Sequence, residues 1–184
     1  MEGEPIDPVN LLYVILDRAE GIVPKSLNKL SNAYAKFSWR NDDDIRSIVH
    51  LESNDPIWDE AFYFGPVFAE DKLGVEIRDK KLVSLFGANS KALGSCTIPL
   101  KEFVEAGPGL HKKSFDLESK GDECGCLYLE FFIREVTDAR VLGNLKNMQR
   151  GALQLASTNE VRMGLFNDVM NPEGRKSPRP YTGR

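Results

Sequence analysis

The hydrophobic period of this chain changes once, near residue 135. Before that point short apolar segments alternate with turn-rich stretches, and apolar side chains recur at every second residue. Beyond it they recur at steps of three and four, the spacing of a helix face. Residues 73–79 read LGVEIRD, with Leu73, Val75 and Ile77 on one face and Glu76 and Arg78 on the other. That is the alternation of a half-buried strand. Eight strands are expected on this basis, over residues 11–17, 34–39, 47–52, 60–64, 73–79, 93–98, 112–117 and 127–133. The first contains the longest uninterrupted apolar run, LLYVIL from Leu11 to Leu16. It is too short for a membrane span, which takes about 18 residues. Asn41–Asp44, Gly107–Gly109 and Ser119–Glu123 supply turn chemistry, and the acids Asp42, Asp43 and Asp44 read as a solvated turn. No strand–helix–strand rhythm is present, which disfavours a parallel α/β sheet. The expected fold is therefore all-β: an eight-stranded antiparallel β-sandwich with a C-terminal helical extension and a basic disordered tail. The divisions fall at 1–9 for an N-terminal arm, 10–134 for the sandwich, 135–170 for the extension and 171–184 for the tail.

In the extension, Val141, Leu145, Met148, Ala152 and Leu155 form one helical stripe. Gly143 and Gly151 each cost a helix about 1 kcal/mol, so this one needs a partner surface to be stable. Ser157 with Glu160 makes a capping box that opens a second short helix carrying Val161, Leu165, Phe166 and Val169. Asn171-Pro172 ends it. Val141, Leu145, Met148, Leu155, Leu165 and Phe166 are accordingly assigned to partner binding. The last residues have nothing to bury, and their charges, Arg175, Lys176, Arg179 and Arg184, are assigned to an acidic partner surface.

Charge is divided the same way. Residues 1–134 hold 16 Lys and Arg against 23 Asp and Glu, while 135–184 hold 8 against 5. The acidic body argues against nucleic acid as a partner. Cys96, Cys124 and Cys126 are too few for a disulfide framework and are wrongly spaced for a zinc or redox pair, so reduced thiols are expected. His50 and His111, the only histidines, lie near no cluster of ligands or nucleophile. No catalytic constellation and no cofactor are expected. The N-terminal stretch is acidic and lacks the basic region of a secretory signal, so the expected location is cytoplasmic.

Several motifs occur together in order. They are LLYVILDRAEGI at Leu11–Ile22, Ser31-Asn32-Ala33-Tyr34, Asp55-Pro56-Ile57-Trp58-Asp59-Glu60-Ala61-Phe62, Val75–Asp79, Leu93-Gly94 and the closing Gly125–Ile133. In this the chain resembles the C2 domain, a β-sandwich best known as a calcium-dependent phospholipid-binding module. The family usually reads Ser-Asp-Pro-Tyr at the second motif and Asn-Pro-x-Trp-Asn-Glu-x-Phe at the third. Carried over residue by residue, its calcium-ligand positions fall at Ser26 and Asn32 on one loop and at Asp79, Lys81 and Lys91 on another. One carboxylate remains where the resemblance implies about five, and calcium needs six to eight oxygens, so no metal is expected. Trp58, with Phe62 and Phe64, reads as core.

The resemblance without the calcium chemistry implies a non-catalytic, calcium-independent protein-interaction module. Its expected partners are other proteins of a large intracellular assembly, of cytoskeletal, microtubule, ciliary or axonemal kind. The alternative is a peripheral membrane adaptor that meets anionic phospholipid through the 80–91 loop, where Lys80, Lys81 and Lys91 flank Leu85 and Phe86.

Overall fold

The computed structural model describes residues 5–24, 30–80, 90–146, 151–153 and 158–163. The strands are β1 (Pro5–Glu20), β2 (Ala33–Trp39), β3 (Asp42–Arg46), β4 (Ile57–Pro66), β5 (Lys72–Lys80), β6 (Ser90–Pro99), β7 (Gly109–Ser119), β8 (Asp122–Asp138) and β9 (Gly151–Ala152). Among the described residues three short helices accompany them: α1 (Lys101–Ala106), α2 (Ala139–Lys146) and α3 (Thr158–Met163). All the pairings are antiparallel. Two layers result, β3-β2-β5-β6 and β7-β8-β1-β4-β9, and the seam between them is the single pair Ser95 and Glu118. This is the expected antiparallel sandwich, with β9 added at one edge.

The alternation seen in the sequence decides which side chains enter the core. Leu73, Val75 and Ile77 of β5 point between the layers, as do Leu12, Val14 and Leu16 of β1 and Leu127, Leu129, Phe131 and Ile133 of β8. Trp58, Phe62 and Phe64 join them from β4. Aromatic rings fill the middle: Phe37 lies 4.8 Å from Phe62 and 5.5 Å from Phe64, and Trp39 lies 5.7 Å from Phe64. Such tilted and edge-on contacts add stabilisation beyond buried area. Helix α1 is an addition to the elements that the sequence pattern predicts. Its Phe103 stacks on Phe131 at 4.2 Å and closes one end of the core.

Four local expectations are corrected. Residues 5–9 belong to β1 rather than to a free arm, and β8 runs to Asp138 rather than ending near 134. The strand expected over 47–52 lies instead at Asp42–Arg46, over the acids read as a turn. Side chains explain this shift. The Ala35 N–H donates to the Ser47 hydroxyl at 2.8 Å, and the Ile48 N–H donates to the Glu60 carboxylate at 2.9 Å, so the regular ladder breaks after Arg46 and leaves only the Ser47 N–H on the Ala35 carbonyl and an isolated bridge between Ala33 and His50. The hairpin turn is at Arg40 and Asn41, with Arg40 left-handed at φ 55° and held by Asp71 at 2.8 Å and by the Pro66 carbonyl at 3.0 Å. Finally, the helix expected through residue 155 is not continuous: Gly151 and Ala152 pair with Tyr63 and Phe62 of β4. Gly151 is a poor helix former, and the β4 edge offers its backbone groups an alternative.

Gly94 marks the closest approach in the core. A Cβ there would lie 2.4 Å from Cys124 Sγ and 3.0 Å from Leu117 Cβ, while the Cys124 thiol already donates to the Leu117 carbonyl at 3.2 Å. Gly94→Ala is expected to destabilise by about 1–3 kcal/mol through overpacking. Adding Cys124→Ala should recover part of that loss, a favourable coupling read from a double-mutant cycle of urea unfolding.

Candidate interaction site at the loop end

Three connections meet at one end of the sandwich, and Asn32 ties them together. Its backbone N–H donates to Asp79 Oδ1 at 2.9 Å, and its side-chain amide donates to the Lys80 carbonyl at 3.3 Å. The Lys80 N–H returns to the Asn32 carbonyl at 2.9 Å, and the Glu52 N–H donates to Asn32 Oδ1 at 3.1 Å. Around this hub the backbones of Ala33 and His50 exchange two hydrogen bonds, the Ser53 N–H meets the Ser31 carbonyl at 2.9 Å, and the Ile22 N–H meets the Asn54 carbonyl at 3.0 Å. The Gly21 N–H donates to the Asp55 carboxylate at 2.7 Å. The result is a tied platform. From it Val23, Leu30 and Leu51 project with more than half of their surface exposed, at 56%, 58% and 55%.

The calcium-ligand positions carried over from the resemblance are only partly brought together. Asn32 and Asp79 touch, but Asp79 already accepts a backbone N–H and Asn32 Oδ1 accepts another. Lys91 is not on a loop. It sits on β6 directly across from Asp79, and Lys80 sits on β5 across from Ser90. A lysine beside the one remaining carboxylate does not fit a dication site. Among the described residues no group of three His, Cys, Asp or Glu side chains is placed to hold a metal ion. Ser26, Lys81, Leu85 and Phe86 lie outside the described residues.

Other candidate chemistry is dispersed. His111 Nε2 lies 3.0 Å from the Gly107 carbonyl, and His50 is engaged through its backbone with Ala33. The three cysteines are free thiols, and burial, with a smaller contribution from nearby Cys126, pushes Cys96 up to about 12. Among the described residues no helix is long and apolar enough to cross a membrane.

The extension lies against the outer face of β1, β4 and β8. Asp138 caps α2 by accepting the Arg140 N–H at 2.7 Å. Val141 and Leu142 of α2, with Leu153, pack partly buried around Leu11, Tyr13, Ile15, Ala61, Tyr63 and Val136, and Val161 of α3 is buried among them. Val141, assigned from sequence to a partner, thus rests on its own sandwich. Leu145 falls on α2, while Met148, Leu155, Leu165, Phe166 and the tail residues Arg175, Lys176, Arg179 and Arg184 lie outside the described part. Beside Val161, the Arg162 guanidinium grips Glu130 through two bonds of 2.9 and 3.0 Å and reaches Asp59 at 3.1 Å. Lys112 of β7 adds a bond to Glu130 at 3.2 Å, and the Thr158 hydroxyl donates to Asp59 at 2.9 Å. Neither Glu130, an outward strand residue by its sequence pattern, nor Arg162 stands out in the sequence; the only signal of either is a charge beside an apolar face.

Burial alone would raise the Glu130 carboxyl, but hydrogen bonds and charge from Arg162 and Lys112 outweigh it and hold the group below the ordinary carboxylate value. A lowered folded-state value stabilises at pH above the unfolded value of about 4.3 and is lost as the pH falls through the folded one. Docking of α3 should therefore loosen on acidification below about pH 4. The protection of the 158–163 amides, relative to their intrinsic exchange at each pH, should fall there, and Glu130→Gln should weaken that pH dependence.

A C2 domain family model matches residues 10–117. Extended synaptotagmin-1 of Mus musculus is 30% identical over 128 residues, which is 67% of this chain and 11% of that protein, so the match spans only about a tenth of the relative. Among solved structures, a C2 domain of plant Extended Synaptotagmin 1 superposes with a TM-score of 0.61 at 21% identity, covering 72% of this chain and all of that one. Human GIVD cytosolic phospholipase A2 does so with a TM-score of 0.55 at 20% identity, over 74% of this chain and 16% of that one. Structural likenesses at identities this low speak to fold alone. The family match over most of the sandwich, together with the two-layer topology that carries it, makes this chain a member of the C2 domain family.

Proposed function

We propose that this chain is a non-catalytic C2 interaction module that docks on an anionic lipid surface through its loop end, without calcium. The observation that supports this most is the tied platform itself. It presents Val23, Leu30 and Leu51 outward from two of the connections, with the exposed lysines Lys80 and Lys91 at the root of the third. Apolar side chains that dip into the headgroup boundary, flanked by cations that meet lipid phosphates, are the chemistry of a peripheral membrane contact. Calcium independence rests on the donor set: one carboxylate, already hydrogen-bonded, with a lysine across the strand pair.

The acidic excess of residues 1–134 favours a second reading, a protein-binding adaptor within a larger assembly, because a body of that charge is repelled by anionic lipid. The cytoskeletal or ciliary form of that reading rests on the basic tail, which lies outside the described residues, and the relatives named above do not bear on it.

Co-sedimentation of the full chain with vesicles of phosphatidylcholine and phosphatidylserine separates the two. The lipid reading expects binding that chelation of calcium leaves unchanged and that added salt weakens. Each lysine near the surface is worth about 1 kcal/mol, so joint Lys80→Glu and Lys91→Glu should lower the binding at least about tenfold. Joint Val23→Ser, Leu30→Ser and Leu51→Ser should lower it as well. Binding that appears only with calcium overturns the donor-set argument, and no binding in any condition leaves the protein-adaptor reading.

A further inference from the structure

The buried side chains fall into two clusters, and the extension belongs to only one. Among the described side chains, the large cluster between the layers draws nothing from α2 or α3. The small one, on the outer face of β1, β4 and β8, is completed by Val161. The sandwich core is thus whole without these elements, while they have no core of their own. As described they span eight, two and six residues, and helical segments this short gain most of their stability from packing an apolar face.

The docking contacts among the described residues are of three kinds. Backbone pairing with the β4 edge is confined to Gly151 and Ala152, extended by the Leu153 N–H to the Ala61 carbonyl at 2.9 Å. Apolar anchoring centres on Val161. Among the described residues the polar contacts include the Arg162 fork on Glu130 and Asp59, with Thr158 on Asp59. Withdrawal of Arg162 leaves neither carboxylate stranded. Glu130 keeps Lys112 at 3.2 Å, and Asp59, already half exposed, is free to meet water. A latch whose halves both have an alternative partner can release without the penalty of an unpaired buried charge.

We propose that α2, β9 and α3 form a clasp that opens as a unit while the sandwich stays folded, uncovering an apolar face made by Leu11, Tyr13, Ile15, Ala61 and Tyr63. The clasp is the low-stability unit of the molecule, and it decides when that face and the β4 edge beside it meet solvent. Ionic strength acts on it chiefly through the half-exposed Arg162–Asp59 contact, the Arg162–Glu130 pair being nearly buried and little screened.

Hydrogen exchange on the full chain tests this, comparing the parent with Arg162→Gln and, as an independent perturbation from the apolar side, Val161→Ala. Exchange at residues 158–163 and in the β4 segment beside β9 should accelerate at least about tenfold, while β2 and β5 keep their protection. Binding of an apolar dye should rise in step. Acceleration of β2 and β5 together with the clasp in either variant overturns the proposal, because the chain would then open as one unit. Unchanged exchange at 158–163 in both variants overturns it too, because neither the latch nor the anchor would be what holds the segment.

Discussion

Strand β1 is apolar on both faces, and much of the molecule follows from the need to cover it twice. Leu12, Val14 and Leu16 enter the core between the layers, while Leu11, Tyr13 and Ile15 emerge on the opposite side. All six are fully buried. An antiparallel sandwich usually leaves one face of each sheet to water, and for a strand with no polar face that arrangement is unfavourable. Pairing with β4 and β8 satisfies the backbone of β1 but does nothing for its outer side chains. The cover comes from the far end of the sequence. The extension is therefore a second consequence of the LLYVIL run rather than an appendage beside it.

Much of this is written in the sequence, in unequal degrees. The alternation of Leu73, Val75 and Ile77 announces a strand with one buried face because the period of the side chains and the period of the backbone are the same. The continuous run at Leu11–Leu16 announces burial on both faces, but not what does the burying, because a cover can come from anywhere in the chain. The shift of β3 is hidden. Residues such as Ser47 and Glu60 take backbone donors with their side chains, and a hydropathy pattern is blind to such capture. Helix α1, KEFVEA between Pro99 and Gly107, carries its punctuation in plain view but is too short to show a period.

The loop end shows a similar division. The loss of carboxylates can be counted from the sequence, since ligand chemistry is a property of residue type. What cannot be counted is the role Asn32 takes up instead, joining Glu52, Asp79 and Lys80 in one hydrogen-bonded knot. The sequence puts Lys91 on a loop because its distance to Gly94 is measured along the chain. Strand pairing measures it across the sheet, and that sets Lys91 opposite Asp79.

Asp59 shows how the two surfaces diverged from one pattern. The family usually reads Trp-Asn-Glu where this chain reads Trp58-Asp59-Glu60. Asp59 has a left-handed φ of 49°, a conformation that Asn and Asp tolerate better than other side chains, and the β1–β4 register shifts beside it between Leu16 and Arg18. An amide there satisfies the backbone. A carboxylate satisfies it equally and adds a charge on the outer face, aimed at Arg162 and the Thr158 hydroxyl. A carboxylate at a position with this backbone geometry thus supplies one of the contacts that hold α3, which in turn covers part of the outer face of β1. At Asp55, where the family usually reads Asn, the carboxylate holds the Gly21 N–H at the loop end. Both positions thus give this chain a charged acceptor, on the outer face at Asp59 and at the loop end at Asp55.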